Sequence, residues 1–300
     1  MKNVLVTGSN GFLGRHVCQE FKNAGHNVYG VSRSSVDTTT HHTYQLDIND
    51  HAQLNNLVSE KSIDIIVHLA GKPIVQDCDK NPYDAFKVNG LGTASVLECA
   101  RINNVSRVVS VETDKVYGFQ KEIPTNETSG FNPRSPYEYS KFMAASLADF
   151  YRDVYELDVI SVRPANLFGL KDFSTSRIIP RALNNLKQGQ GIFLYETALK
   201  MKRDFVYVSD VAKALLILSE EKCMSPAYNI STTSPISMEQ LADNIVNALD
   251  LKIPHVIGKK KSDFSEIPAQ AIDGNLFQNE FGFEYTDFDT AIRDIWNAML

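Results

Sequence analysis

The stretch Lys2-Asn-Val-Leu-Val-Thr-Gly-Ser-Asn-Gly-Phe-Leu-Gly14 decides the fold of this chain. It begins with an apolar run typical of a buried strand, and the apolar side chains after Gly11 recur at helical spacing. Gly8, Gly11 and Gly14 stand between strand and helix, where a pyrophosphate could approach the backbone and the N–H groups of a helix N-terminus. The sequence therefore predicts a dinucleotide-binding turn. The alternative is that the glycines serve only the turn and the packing of the helix.

The same alternation of strand and helix continues through the first half of the chain. Strand patterns occupy residues 27–31, 42–46, 64–69, 107–111 and 159–163, and helical patterns occupy 53–60, 83–102 and 137–155. This order predicts an α/β fold, a Rossmann-type doubly wound parallel sheet. After residue 164 the rhythm changes. We expect a dinucleotide-binding domain over residues 1–164 and a smaller substrate-binding lobe over 165–300 that returns segments to the core.

Composition excludes several classes of protein. The 300 residues carry 30 Lys and Arg against 36 Asp and Glu, a net charge of −6, with 43% hydrophobic residues. No long basic block is present, so we expect no nucleic-acid partner. No apolar stretch approaches the length of a membrane span or a signal peptide, and we expect neither. Four scattered cysteines favour the reducing cytosol, and no cluster of side chains has the spacing of a metal site.

The end of the second predicted strand bears on the choice of cofactor. A site for NAD usually has an acidic residue there, to bind the ribose 2′-hydroxyl. This chain has Ser32-Arg33-Ser34 instead, and a guanidinium pairs well with a 2′-phosphate. We therefore favour NADP, with NAD as the alternative, in which case Arg33 is solvated or stacks on the adenine.

Tyr137 and Lys141 are four residues apart and so share one face of a helix that Pro136 is placed to begin. A free phenol has a pKa near 10 and is a poor base at neutral pH. A neighbouring ammonium lowers such a pKa and makes the phenolate usable in general base catalysis. Tyr139 is the other candidate for this role, but it is two residues from Lys141 and so lies on a different face of the helix. His68, at a strand end, is expected to be a packed histidine.

Several motifs follow one another in an order that resembles the extended short-chain dehydrogenases/reductases, specifically the nucleotide-sugar epimerase/dehydratase family. They are Thr7-Gly-Ser-Asn-Gly-Phe-Leu-Gly14, His68-Leu-Ala-Gly71, Asn89-Gly-Leu-Gly-Thr93, Val116-Tyr-Gly118, Tyr137-x-x-x-Lys141, Arg163-Pro-Ala-Asn166 and Arg203-Asp-Phe-Val-Tyr-Val-Ser-Asp210. The resemblance covers nearly the whole chain. It implies an enzyme that binds a nicotinamide dinucleotide and a nucleotide-diphosphate sugar, and that forms a homodimer through the helix containing Phe142, Leu147 and Phe150.

The resemblance also implies roles for particular residues. Lys141 would contact the nicotinamide ribose, Asn166 and Arg203 would bind the substrate, and Asp47 with Ile48 would cover the adenine. The expected cofactor-binding residues are Gly8, Asn10, Gly11, Phe12, Leu13, Gly14, Arg33, Asp47, Ile48, Leu69, Ala70, Gly71, Tyr137 and Lys141.

Thr113-Asp114-Lys115 bears on the reaction. In the family the first position hydrogen-bonds the sugar O4, and 4,6-dehydratases place an acid and a second proton-transfer group after it. Elimination across C5 and C6 needs a base for the C5 proton and an acid for the leaving hydroxyl. We expect catalytic roles for Thr113, Asp114, Lys115, Tyr137 and Lys141 in a 4,6-dehydratase. The alternatives are a 4-epimerase or 4-keto reductase, in which Asp114 and Lys115 form a solvated pair, and a non-catalytic sensor.

Overall fold

The computed structural model describes residues 1–34, 42–253, 255–258 and 267–299. Its strands are β1 Asn3–Thr7, β2 Asn27–Ser32, β3 His42–Gln45, β4 Ile65–His68, β5 Arg107–Val111, β6 Val159–Pro164, β7 Asn166–Phe168, β8 Phe193–Tyr195, β9 Lys202–Arg203, β10 Phe205–Tyr207, β11 Ala227–Ile230, β12 Ile236–Ser237, β13 Val256–Gly258 and β14 Ala269–Gln270. Its α-helices are α1 Phe12–Asn23, α2 His51–Glu60, α3 Val75–Lys80, α4 Pro82–Ala85, α5 Gly92–Ile102, α6 Pro136–Tyr155, α7 Ile178–Lys187, α8 Val208–Glu220, α9 Met238–Ala248, α10 Asn275–Phe281 and α11 Phe288–Met299. None of the helices in these ranges is both long enough and apolar enough to cross a membrane.

Seven strands form the central sheet in the order β11-β6-β5-β4-β1-β2-β3. The ladders from β3 to β6 are all parallel. This is the strand order of a doubly wound dinucleotide-binding fold, so the predicted fold class is confirmed. Thr7 pairs with Val31 on one side and with His68 on the other. The carboxyl ends of β1, β2 and β4 therefore lie side by side, where ligands bind in open α/β sheets.

The inner strands of this sheet bury both faces, which explains their continuous apolar runs. β4 and β6 are buried along their whole length. Helices α2, α5 and α6 supply the apolar side chains that pack on one side. The shared core includes Leu5, Leu54, Leu57, Ile66, Val96, Leu97, Val108, Ala148 and Val159.

Two compact units divide the chain. The first consists of Met1–Gly118, Glu127–Pro164 and Val211–Tyr228, and the second of Phe119–Asn126, Ala165–Asp210 and Asn229–Leu300. The second unit has its own core and three small sheets, in which β10 pairs with β7, β9 lies between β12 and β14, and β13 pairs with β8. That the first unit binds the cofactor and the second binds the substrate remains a prediction.

The helix expected over residues 83–102 is interrupted. Asn81 caps the short helix α4, a π-helical turn follows at Phe86–Leu91, and α5 begins only at Gly92. The hydroxyl of Thr93 donates to the Asn89 carbonyl inside this turn, at 2.6 Å. Single π-turns inside helices frequently mark functional sites.

Candidate active site

The glycine turn after β1 is fixed by backbone contacts to its two neighbouring strands. The N–H groups of Gly8 and Ser9 both donate to the carbonyl of Val31, at 2.8 and 3.2 Å. Gly8 has φ +72°, and a Cβ there would lie 2.9 Å from the Ala70 nitrogen. Only glycine fits this backbone conformation and this close approach without strain.

The same turn has the properties that a dinucleotide pyrophosphate requires. Gly11 is the N-cap of α1 and brings no side chain over the helix N-terminus. The first helical turn contains Arg15 and no acidic residue, so the positive end of the helix dipole is not neutralised. The predicted loop residues Asn10, Phe12 and Leu13 belong to this turn and helix start. The residues present therefore fit a nicotinamide dinucleotide.

At the adenine end of the expected cofactor site, the predicted residues have different surroundings. Arg33 is exposed, and its backbone carbonyl accepts a hydrogen bond from the Gln45 side chain at 3.1 Å. Asp47 is partly desolvated, which raises its pKa, but hydrogen bonds from Asn49 and the Arg33 charge outweigh this and leave the pKa below its ordinary value. Ile48 is 4% exposed and belongs to the core. Its side chain is therefore occupied in packing.

His68 joins the ends of β1 and β4 to the π-helical turn. The Thr7 hydroxyl oxygen accepts from the N–H groups of Leu69 and Ala70, at 3.1 and 3.2 Å, so its own proton goes to His68 Nδ1 at 2.8 Å. His68 Nε2–H then donates to the Thr93 hydroxyl at 3.0 Å. Burial, with the charge of Lys141, lowers the pKa of His68 to about 3. His68 is thus a neutral packed histidine, as the sequence predicted.

Asn89 and Gly71 connect this region to Lys141. Asn89 accepts from the Lys72 N–H at 2.7 Å and donates to the hydroxyl of Ser140 at 2.8 Å. A Cβ at Gly71 would lie 2.9 Å from Asn89 Oδ1 and 3.6 Å from Lys141 Nζ. The expected cofactor-binding segment after β4 therefore lies directly beside the predicted catalytic lysine.

Helix α6 presents the predicted pair on one face. Ser135 and Glu138 form a capping box, and Pro136 begins the helix. Tyr137 is buried, whereas Tyr139 is 51% exposed. This difference supports the choice of Tyr137 as the functional tyrosine.

Lys141 is held at the end of β5. Its Nζ donates to the Val111 carbonyl at 3.0 Å. Burial lowers the pKa of Lys141 to about 8, although the nearby Glu112 and Cys78 oppose this shift. Lys141 is therefore mostly an ammonium at neutral pH, with a proton that it holds less tightly than an exposed lysine does.

Thr113, Asp114 and Lys115 form a compact hydrogen-bonded group that leads into the 3-10 turn Asp114–Tyr117. Asp114 Oδ1 accepts from the Thr113 hydroxyl at 3.1 Å and from Lys115 Nζ at 3.2 Å. Asp114 is only 3% exposed, so it is not the solvated residue of the alternative interpretation. The turn packs against α6. An acid and a base are thus paired beside the helix that carries Tyr137.

The predicted substrate residues lie in the second unit. The Asn166 side-chain amide donates to the Asp204 carbonyl at 3.0 Å, which places Asn166 beside the residue that follows Arg203. Arg203 donates to the Lys202 carbonyl at 2.8 Å. Their place relative to the catalytic residues stays a prediction. Within the described ranges no group of three or more His, Cys, Asp or Glu side chains could hold a metal ion.

Sequence reasoning missed the polar groups behind the catalytic residues. Asn89 and Arg163 entered it only as members of sequence motifs, and Ser140 and Glu112 were given no role. The structure buries all four and pairs them as Asn89 with Ser140 and as Glu112 with Arg163. A signal was present in the charged Glu112, which directly follows the apolar and small run Val108-Val-Ser-Val111.

Known proteins match this architecture. A model of the NAD-dependent epimerase/dehydratase family matches residues 4–231. A dTDP-D-glucose 4,6-dehydratase from Dictyostelium discoideum is 28% identical over 271 residues, 82% of this chain and 62% of that protein. The chain thus spans less than two thirds of that relative's length.

Two solved structures are similar over almost the whole chain. A UDP-glucose 4-epimerase from Thermotoga maritima, solved with UDP-glucose, has a TM-score of 0.90 at 22% identity and covers 99% of both chains. MoeE5, solved with UDP-glucose and NAD, has a TM-score of 0.87 at 26% identity and also covers 99% of both chains. At 22% identity, the similarity to the Thermotoga maritima epimerase establishes a shared fold.

Proposed function

The chain belongs to the NAD-dependent epimerase/dehydratase family, and we propose that it is a nucleotide-sugar 4,6-dehydratase. The observation that carries this proposal is the buried Asp114 carboxylate, which accepts from both Thr113 and Lys115. Elimination of water from a sugar needs an acid and a base close together. Epimerisation at C4 needs a base only for the O4 proton and no second acid–base pair for C5 and C6.

We propose a nicotinamide dinucleotide as the cofactor, held at the glycine turn and by Leu69, Ala70 and Gly71. The family is described as NAD-dependent, and MoeE5 was solved with NAD. The preference for NADP rests on Arg33 alone, so NAD is the cofactor we put forward, and NADP is tested below. When bound, the nicotinamide supplies oxidation at C4 of the sugar and reduction at C6.

Tyr137 and Lys141 would begin the reaction at C4. Tyr137, as phenolate, takes the proton of the O4 hydroxyl, and the Lys141 ammonium stabilises that phenolate. Thr113 hydrogen-bonds O4 and orients the sugar. The resulting 4-keto group makes the proton on C5 acidic enough to be removed by a side-chain base.

Lys115 and Asp114 would then perform the elimination. Neutral Lys115 takes the C5 proton, the C5–H electron pair forms the C5–C6 double bond, and the C6 hydroxyl leaves as water with a proton from Asp114. This step would leave a Lys115 ammonium beside an Asp114 carboxylate, and the two side chains lie 3.2 Å apart. When C6 is reduced, Lys115 would return a proton to C5. The proton that Tyr137 took from O4 would then restore Asp114 to its acid form.

The substrate would be a nucleotide-diphosphate sugar bound with the help of Asn166 and Arg203. A guanidinium suits a diphosphate because it is permanently charged and donates several hydrogen bonds in a plane. The similar Thermotoga maritima epimerase and MoeE5 were both solved with UDP-glucose. These matches support the class of substrate and leave the base and sugar open.

Product mass tests the reaction. The protein, loaded with NAD or NADP, is incubated with a panel of nucleotide sugars in deuterated water, and products are examined by mass spectrometry. We expect one substrate to lose one water and to gain deuterium at C5. A 4-epimerase would instead leave the mass unchanged and alter retention on a column, and a non-catalytic sensor would leave every sugar unchanged.

Two variants locate the elimination within the site. Lys115→Ala should block exchange of the C5 hydrogen, because the base is absent. Asp114→Asn should allow C5 exchange but slow loss of water, because an amide cannot supply the acidic proton. If both variants interconvert C4 epimers at the wild-type rate and no substrate loses water, the protein is an epimerase or reductase.

We also propose that two copies associate through α5 and α6. These helices leave apolar side chains exposed on the surface of the first unit: Ile102, Phe150, Val154 and Tyr155. Such a patch suits a self-complementary two-fold interface. Light scattering should give the mass of a dimer for the wild type and of a monomer for Phe150→Glu with Val154→Glu. A monomeric wild type would refute the proposal.

The cysteines support a reducing compartment. Cys18, Cys78 and Cys99 are buried free thiols. Persistent free thiols are usual in the cytosol and unusual in secreted proteins. We therefore propose that the protein acts in the cytosol, which localisation of a tagged copy would test.

A further inference from the structure

A buried ion pair lies behind the catalytic residues. Glu112 Oε2 accepts from Arg163 Nε at 2.8 Å, and both side chains are almost wholly inaccessible to solvent. Glu112 Oε1 is buried without a hydrogen-bond partner. Arg163 also donates to the Tyr117 hydroxyl at 2.9 Å, and its guanidinium lies 4.7 Å from the centre of the Phe131 ring. A carboxylate oxygen left unsatisfied in a protein interior is costly and calls for a physical reason.

The position of Glu112 in the chain suggests that reason. It lies between Val111, whose carbonyl accepts from Lys141 Nζ, and Thr113, which begins the acid–base group. The N–H of Glu112 donates to the Val162 carbonyl at 2.8 Å, so its backbone is fixed to β6. The carboxylate is thus anchored in the chain segment that joins the lysine site to the elimination site.

The groups that face Lys141 come from three elements: His68 on β4, Cys78 on α3 and Glu112 following β5. His68 is neutral, because burial lowers its pKa to about 3. Burial raises the pKa of the Cys78 thiol, so this group is also neutral near pH 7. Of these three groups, Glu112 is therefore the one that can offset the cost of a buried ammonium.

We propose that Glu112 is a positioning residue for the Tyr137–Lys141 pair, in which its buried carboxylate keeps the Lys141 ammonium charged at the Val111 carbonyl. A neutral lysine would neither stabilise a phenolate nor hold its place by charge. Arg163 holds the Glu112 carboxylate in place through Oε2, and Oε1 has no hydrogen-bond partner. The inference rests on the proposed function only for the statement that Lys141 acts in catalysis.

The charge state of Lys141 can be measured without substrate or cofactor. Trace acetylation over a range of pH, followed by mass spectrometry of the peptide that contains Lys141, gives the midpoint at which that amine loses its proton. Burial of Lys141 slows the reaction at every pH and leaves the midpoint unchanged. For the wild-type protein we expect a midpoint near the pKa of about 8.

Glu112→Gln keeps the shape of the side chain and removes its charge. We expect the Lys141 midpoint to fall by about one pH unit, the scale of a lost opposite charge nearby. Glu112→Asp keeps the charge and should stay close to the wild type. Glu98→Gln is the matched control, because Glu98 also pairs with an arginine, Arg101, but on the surface, and this variant should leave the midpoint unchanged.

Unpaired Arg163 could prevent Glu112→Gln from folding. The double variant Glu112→Gln with Arg163→Gln replaces the ion pair by two amides and should lower the midpoint as well, by a smaller amount. An unchanged midpoint in either folded variant overturns the proposal, as does an equal fall in Glu98→Gln. Because no turnover is measured, a failed dehydratase assignment would leave these results intact.

If Lys141 acts as proposed, the same variant also changes the pH profile of turnover. The alkaline limb of the Glu112→Gln profile should shift to lower pH by the amount that labelling gives, with activity largely restored at the lower pH. A structural defect alone would lower activity equally at every pH. A uniform loss therefore contradicts the positioning role.

Discussion

The glycine turn and the surroundings of Lys141 lie at the same edge of the sheet, but different kinds of contact hold them in place. The turn is made almost entirely of backbone: Gly8 and Ser9 donate to Val31, and Gly8 tolerates no side chain. The lysine site depends on side chains from separate elements, among them Asn89 and Glu112. We therefore expect a substitution in the glycine turn to act through steric overlap, and one near Lys141 to act through a change of charge.

The difference bears on how each region responds to substitution. The backbone contacts of the turn leave no room for a side chain at Gly8, so one added methyl group is enough to break them. A buried charge is set by several distant groups, and removing one group shifts a proton equilibrium while leaving the shape intact. Four substitutions can break or sharpen this contrast.

Tyr137→Phe should have the largest effect. The change removes the hydroxyl and keeps the ring, so we expect turnover to fall by about 10²–10⁴-fold with cofactor affinity nearly retained. The exposed Tyr139→Phe is the control and should behave as the wild type. Loss of activity in the control alone would mean that the helix face was assigned to the wrong tyrosine.

Gly8→Ala should be next in size. The new Cβ meets the Ala70 backbone and the residue must keep φ +72°, so we expect a loss of about 2–4 kcal/mol in unfolding free energy and weaker dinucleotide binding. Gly25→Ala has a similar φ of +86° but open space around it. This control should lose only about 1 kcal/mol. Equal losses, measured by denaturant unfolding, would mean that backbone strain alone explains Gly8.

Arg33→Asp probes a charged residue at the adenine end of the expected cofactor site. If NADP binds with its 2′-phosphate at Arg33, its affinity should fall by about 1.5–3 kcal/mol, the value of a lost charge-assisted hydrogen bond. NAD binding should change little. Calorimetric titration with both dinucleotides measures the two affinities, and equal losses would assign Arg33 to the adenine or to packing.

Lys141→Met should give the smallest effect, visible as a pH dependence of stability. The pKa of Lys141 is about 8 in the folded protein against 10.5 ordinarily, so its charge destabilises the fold fully below pH 8 and less as pH rises towards 10.5. After a discount for residual solvent access, we expect Lys141→Met to be more stable at pH 7 by about 1–2 kcal/mol.

That advantage should shrink above pH 8, as the wild type releases its proton. Denaturant unfolding of both proteins from pH 7 to 9.5 measures the trend, with the exposed Lys22→Met as control. A stability difference that is constant with pH would mean that Lys141 is not strained by its charge.

The sequence predicted the fold because its signals are local. The strand patterns matched the central strands to within a residue or two, and the Gly8–Gly14 spacing correctly placed the turn between β1 and α1. The shared face of Tyr137 and Lys141 followed from helical geometry alone. Each of these features is decided by residues that are close together in the chain.

The rest of the site depends on contacts between distant segments. Glu112 and Arg163 are 51 positions apart, as are Asn89 and Ser140, and no pattern in one segment reveals the other. The helix expected over 83–102 was broken for the same reason. Apolar spacing suggested one continuous helix, whereas the buried hydrogen bonds of Asn89 are made from a π-helical turn.

The first unit is not a continuous stretch of chain, and this governs how the protein can be made. Its last segment, Val211–Tyr228, follows two of the three segments of the second unit in sequence. Arg107, the first residue of β5, donates to the Leu218 carbonyl at 2.9 Å, and this hydrogen bond cannot form before that segment has been synthesised. On the ribosome, the sheet cannot be completed before residue 230, the end of β11, has emerged. A gene fragment that stops at residue 164 would therefore encode an incomplete first unit, and the second unit cannot be exchanged between relatives as a single continuous segment.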